Sequence, residues 1–137
     1  MNDISLERFI KAQSNTYVAA LNEIKSGRKR SHWMWFIFPQ IKGLGYSATA
    51  QFYAISCLNE AKAYLEDEIL GVRLREICSE LLKHSDKSAV SILGEIDALK
   101  LRSSMTLFDL IAPNDVFAKV LEAFFNEERC PKTMERV

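Results

Sequence analysis

Apolar residues recur along this chain at three- and four-residue intervals almost throughout, and β-branched residues never gather in alternating runs. That pattern predicts helices and argues against a sheet. Leu6, Phe9, Ile10, Tyr17, Ala20, Leu21 and Ile24 share one stripe at 100° per residue, which predicts a first helix over about 5–26 stopped by Gly27. A short aromatic element is expected after Ser31, a candidate N-cap, and must end at Pro39. Residues 39–47 read as a loop containing Gly43 and Gly45. Ser47 can cap a helix to about residue 55, and Ser56 another to about residue 65. Ile69, Leu70, Leu74, Ile77, Cys78, Leu81 and Leu82 mark a long amphipathic helix ending near His84. A short helical turn follows over 88–93, broken by Gly94.

From 95 to 112 the apolar positions form two stripes, Ile96, Leu99, Leu107 and Leu110 on one side and Leu101, Met105, Phe108 and Ala112 on the other. A helix apolar on two faces is expected to be central and buried. Asn114 is expected to cap a last helix to about residue 125, leaving 126–137 as a polar, loosely packed tail. The elements add up to an all-α fold: one compact domain over 1–137, of about six or seven helices, with a central buried helix near 95–112.

Composition adds little to this picture, but charge does. An apolar fraction of 48% and a charged fraction of 26% suit an ordinary globular chain. Lys plus Arg equals Asp plus Glu, 18 against 18, so no global field draws the chain to nucleic acid or to a membrane surface. The distribution is uneven. No carboxylate occurs between Ile24 and Asn59, and Lys25, Arg28, Lys29, Arg30 and Lys42 give that stretch a formal +5, balanced by −5 elsewhere. Cys57, Cys78 and Cys130 form an odd set without CxxC spacing, so a disulfide framework is not expected and a reducing compartment is the simpler reading. With no hydrophobic signal core and no apolar run near the ~20 residues of a membrane span, a cytoplasmic location and no membrane partner are expected. Two histidines 52 positions apart offer no spaced metal-ligand set, and no cofactor motif stands out. Nothing in the pattern sets an oligomeric state.

The basic stretch carries the first candidate site. In Arg28-Lys29-Arg30-Ser31-His32-Trp33-Met34-Trp35-Phe36-Ile37-Phe38-Pro39-Gln40, three cations abut both tryptophans and one of the two histidines. The following loop feeds Ser47 at a helix start, where free N–H groups favour an anion. Arg30 and Lys42 could supply counter-charge, Ser31, Gln40, Gly43, Gly45 and Ser47 polar or backbone contacts, His32 a proton carrier and Trp33 a stacking plate. The competing reading makes the aromatics core anchors and the basic triplet a solvated helix entry. The loop is not a Walker A motif, because its glycine spacing is wrong and Lys42 precedes the glycines. A second candidate is Lys100, Arg102, Ser103 and Ser104 in the two-faced helix, whose polar groups need partners if buried. The partner is either a ligand anion or an internal one, Asp109 or Asp97. Gln13, inside an apolar stripe, either hydrogen-bonds within the core or points into a pocket.

The runs Arg30-Ser31-His32-Trp33-Met34-Trp35-Phe36-Ile37-Phe38-Pro39-Gln40-Ile41-Lys42-Gly43-Leu44-Gly45-Tyr46-Ser47 and Lys100-Leu101-Arg102-Ser103-Ser104-Met105-Thr106-Leu107-Phe108 carry a resemblance. With Tyr53-Ala54-Ile55, Glu60-Ala61 and Leu70-Gly71, they make the chain similar to an uncharacterised family of small, mainly bacterial proteins. Some members of that family bear the label calpastatin. The resemblance implies a mainly α-helical single domain and no established activity. The chain departs from it at the end, where Asn126-Glu127-Glu128-Arg129-Cys130-Pro131 stands in place of an expected Gly- and Asp-containing tail. The calpastatin label has no support in these residues, since such an inhibitor is expected to be disordered.

Three functions compete on this reading. One is a small anionic ligand, a phosphate-bearing metabolite or nucleotide, bound where the His32 segment meets the Arg102 helix, with enzymatic use left open. Another is a non-enzymatic protein-interaction module that exposes the aromatic-basic segment. The last assigns both motifs to folding alone.

Overall fold

The computed structural model describes residues 6–137. Ten helices follow in order: α1 Glu7–Ser14, α2 Tyr17–Lys25, α3 Met34–Ile37, α4 Ala48–Phe52, α5 Leu58–Glu66, α6 Leu70–Leu82, α7 Ala89–Leu93, α8 Glu95–Ile111, α9 Val116–Phe125 and α10 Pro131–Arg136. Six of them are eight residues or longer, roughly consistent with the six or seven helices expected. No strand occurs among the described residues. One isolated parallel bridge joins Ile41 to Ile55, where Lys42 N–H donates to Ile55 and Ile55 N–H to Gln40, both at 2.8 Å.

Helix α8 is central. It packs against α5, α7, α9 and α10, while α6 packs against α2, α5 and α9. Every residue from Ser103 to Asp109 is buried. The stripe that was expected to be covered fails at its N-terminal end, where Ile96 is 72% and Leu99 65% exposed. An aromatic chain ties the layers together. Phe9 of α1 meets Tyr64 of α5 edge-on at 5.1 Å, Tyr64 meets Phe108 of α8 at 5.4 Å, and Phe108 meets Phe117 of α9 at 5.7 Å. Such pairs add to the burial of large rings, the dominant favourable contribution.

Several boundaries differ from the sequence reading, each for a local reason. The first stripe breaks into α1 and α2 at Asn15 and Thr16. Ser14 turns its hydroxyl back on Lys11 O at 2.8 Å, and three successive Ser, Asn and Thr residues compete with the helical hydrogen bonds. Ser31 does not cap α3; Trp33 holds that position. Asp115, not Asn114, caps α9 by accepting from Val116 N–H, and Asn114 turns the chain at φ 65°. Ser47 caps α4 as expected, accepting from Ala50 N–H at 3.1 Å, Ser88 caps α7 by accepting from Ser91 N–H at 3.0 Å, and Cys57 rather than Ser56 stands at the start of α5.

The chain end is not a loose tail. Pro131 starts α10 with a φ already suited to a helix. Thr133 is fully buried and shares a 2.8 Å hydrogen bond with Ser103, and Cys130 N–H donates to Thr106 Oγ1 at 2.9 Å. Arg102 donates from Nε and Nη2 to the carbonyls of Glu128 and Arg129 at 2.8 and 2.7 Å. Arg102, Ser103 and Thr106 of α8 thereby find partners in the last dozen residues of their own chain.

Candidate functional site

Glu23 of α2 organises the basic segment. Its carboxylate accepts from Arg30 N–H (2.6 Å), Ser31 N–H (2.9 Å), the Ser31 hydroxyl (2.7 Å) and Trp33 Nε1–H (3.0 Å). Burial pushes this carboxyl up, but the Ser31 hydroxyl, the two backbone donors and the indole outweigh it and hold the pKa at about 2. The ring of Trp33 is fully buried, so Trp33 is a core anchor and not the expected stacking plate. Arg30 and Ser31 are exposed beside Glu23 and line none of the clefts described below. Lys29 docks the segment onto α7 and α8: its N–H donates to Ile92 O at 2.8 Å and its ammonium pairs with Asp97 at 2.9 Å.

The expected partners of Arg102 were Asp109 and Asp97; neither serves. Asp97 pairs with Lys29 and, at 3.4 Å, with Lys100, while Asp109 accepts from Arg129 at 2.6 Å. The Arg102 guanidinium is held by tail carbonyls because α10 folds back along α8, with the Glu128 carboxylate farther off at 3.9 Å. Gln13 belongs to the core. It donates to Phe36 O at 2.7 Å and to the Tyr64 hydroxyl at 3.0 Å, and Arg73 donates to its Oε1. Ser104 is also buried, and its hydroxyl is the one buried side-chain polar atom among the described residues without a hydrogen-bond partner.

The remaining predicted residues, Ser47 excepted, border a groove along the 39–47 loop, the first half of α8, and α10. Three clefts adjoin. The first, of about 530 Å³, is bordered by Lys29, His32, Trp35, Asp97 and Lys100. Lys100 lies over the half-buried Trp35 ring, 5.0 Å from its centroid, and Asp97 neutralises part of the local charge. The middle cleft, of about 570 Å³, has an apolar floor of Leu44, Ala50, Ile96, Leu99 and Pro131. Gln40, Gly45, Lys100, Arg102 and Ser103 also border it, as does Cys130. Burial raises the Cys130 thiol, yet the hydroxyl and N–H of Thr133 with the N–H of Lys132 and the Ser103 hydroxyl leave it below the ordinary thiol value.

The third cleft, of about 510 Å³, gathers Lys42, Gly43, Tyr46, Lys132, Glu135 and Arg136. Gly43 sits at φ +100°, and a Cβ there would come 2.6 Å from Arg136 Nη1, so the guanidinium lies directly on the glycine backbone. Among the described residues, no carboxylate pairs with Lys42, Lys132 or Arg136. Leu44, Lys132 and Glu135 border both this cleft and the middle one, so the two are continuous.

Lys132, Glu135 and Arg136 were missed because the tail read as loose. A signal was present: Pro131 at a helix start, with Lys132 and Arg136 four apart and therefore on one face. Ser47 is spent on its cap and stands outside these clefts. No three His, Cys, Asp or Glu side chains among the described residues are grouped to hold a metal ion. No helix among them is long and apolar enough to cross a membrane.

A family model described as a protein of unknown function (DUF1810) matches residues 3–137. The fold is similar to the crystal structure of the conserved hypothetical protein Rv1873 from Mycobacterium tuberculosis. That likeness has 41% sequence identity and a TM-score of 0.95, and covers 98% of this chain and 96% of that one. No curated protein matches the chain.

Proposed function

The chain belongs to the DUF1810 family of proteins of unknown function, and on that premise we propose that it binds a small anionic ligand in the groove between the 39–47 loop, α8 and α10. One observation carries the reading: Lys42, Lys132 and Arg136 line one cleft, with the Arg136 guanidinium against Gly43 and no paired carboxylate among the described residues, and that cleft is continuous with an apolar one. Three cations held within one concavity repel one another, and an anion removes that cost. Sites of several hundred Å³ with an apolar lining and a few convergent polar groups are the usual form of small-molecule pockets. Phosphate-bearing metabolites, nucleotides among them, suit this cation set.

Lys42, Lys132 and Arg136 hold the anionic group, while Gln40 and Lys100 orient the opposite end. His32, exposed in the adjoining cleft beside Lys100, is the group to substitute in any search for a reaction. A thermal-shift panel of phosphorylated metabolites and nucleotides, each paired with its uncharged parent, tests the reading. A ligand present at a hundred times its Kd adds about 2.7 kcal/mol, which moves the Tm of a domain this size by roughly 8–10 °C. The anionic member of a pair is expected to give that shift, and Lys132→Ala to lose it. Silence across the panel sinks the proposal.

The alternative, a protein-interaction module, draws on the exposure of Ile96 and Leu99. It differs from the sequence version, which leaned on exposed tryptophans, since Trp33 is buried and Trp35 half-covered.

A further inference from the structure

We infer that the occupant of this groove is a phosphomonoester carried on an apolar body, with its phosphate in the cation cleft and its body on the floor of the middle cleft. The inference rests on the anionic-ligand reading above and narrows it to one chemical class.

Charge matching selects the phosphate. Lys42, Lys132 and Arg136 contribute +3 and Glu135, the one carboxylate bordering that cleft, contributes −1, a local sum of +2. A phosphomonoester carries between −1.5 and −2 near neutral pH, whereas a carboxylate would leave a cation uncompensated. The guanidinium of Arg136 presents paired donors suited to phosphate oxygens, and the exposed hydroxyl of Tyr46 stands at the same cleft.

The apolar body follows from what adjoins. Ile96 and Leu99 lie on the first turns of a helix that is buried from Ser103 to Asp109, yet are 72% and 65% exposed. Together with Leu44, Ala50 and Pro131 they line the middle cleft, which leaves apolar surface facing solvent beside a cluster of cations. Leu44 and Lys132 border both clefts, so one molecule can fill both. Two donors of Arg102 are committed to the carbonyls of Glu128 and Arg129. It holds α10 in place as the wall of the groove.

The test uses the full chain in isothermal titration calorimetry at fixed low salt with three probes: 1-naphthyl phosphate, 1-naphthol and inorganic phosphate. Naphthyl phosphate is expected to bind at least tenfold more tightly than either fragment. Lys132→Ala combined with Arg136→Ala should weaken naphthyl phosphate at least tenfold and leave naphthol unchanged. Leu99→Ser should weaken naphthyl phosphate and leave inorganic phosphate unchanged. All three positions are exposed, so the variants are expected to fold. In a Cys57→Ser background, alkylation of Cys130 by iodoacetamide gives an independent readout, since Cys78 is buried, and naphthyl phosphate should slow it. Inorganic phosphate binding as tightly as naphthyl phosphate, or indifference to Leu99→Ser, overturns the inference and leaves the anionic-ligand reading standing. Absence of both heat and protection with all three probes also overturns it, and a silent thermal-shift panel would then remove the broader reading as well.

Discussion

Glu23 does more for the basic segment than any residue within it. The longest carboxylate-free run of the chain begins one position later, and its first donors fold back onto this carboxylate. Hydrogen bonds to a charged acceptor are worth about 1.5–3 kcal/mol; because Glu23 is partly exposed, Glu23→Gln is expected to cost about 1–2 kcal/mol in denaturant unfolding. The pH dependence has a definite sign. The folded pKa falls from an ordinary 4.5 to about 2, so the stabilisation is fully present above pH 4.5 and lost as pH drops toward 2. The gap between wild type and Glu23→Gln in Tm should therefore close across that window. A gap that persists unchanged at pH 2 would show that the carboxylate charge contributes nothing. The aromatic-basic composition was legible here; its organiser was not, because a partner seven to ten residues away depends on where the chain turns at Gly27.

At the scale of elements, junctions decide more than interiors. Helices α5 and α6 meet so closely that a Cβ on Gly71 would lie 2.0 Å from Leu65 O. Helix propensity alone predicts that Gly71→Ala stabilises by up to about 1 kcal/mol. The collision is with backbone, which cannot rotate away, and overpacking of this kind costs about 1–3 kcal/mol. Net destabilisation is expected in thermal unfolding; a raised Tm would mean that α5 and α6 can separate freely. Helix interiors such as α6 and α8 were readable from their stripes. Splitting of the first stripe and the folding of 131–136 were not, since the first depends on Ser14 turning back on Lys11, and the second on the docking surface that α8 provides.

Across the whole molecule, the ring chain Phe9, Tyr64, Phe108 and Phe117 links α1, α5, α8 and α9 into one core. Phe108 touches the ring on either side, so Phe108→Ala removes two contacts and leaves a cavity. A loss of about 3–5 kcal/mol is expected, with one cooperative transition by circular dichroism and by tryptophan fluorescence. Two separated transitions would show that the layers fold independently. The same compactness makes the groove a composite. Its walls come from residues 40–50, 96–103 and 130–136, and only the fold brings cations from the first and last of these into one cleft.

The sequence by itself determined the helical class and the central helix, because periodicity and capping act within a few residues. Tertiary structure alone decided which polar residues face solvent. Trp33, Gln13 and Ser104 went into the core, Arg102 was taken up by the carbonyls of its own chain end, and Lys132 and Arg136 emerged beside Lys42. A polar side chain's role depends on the partner that reaches it first, and that partner is chosen by packing between segments far apart in sequence.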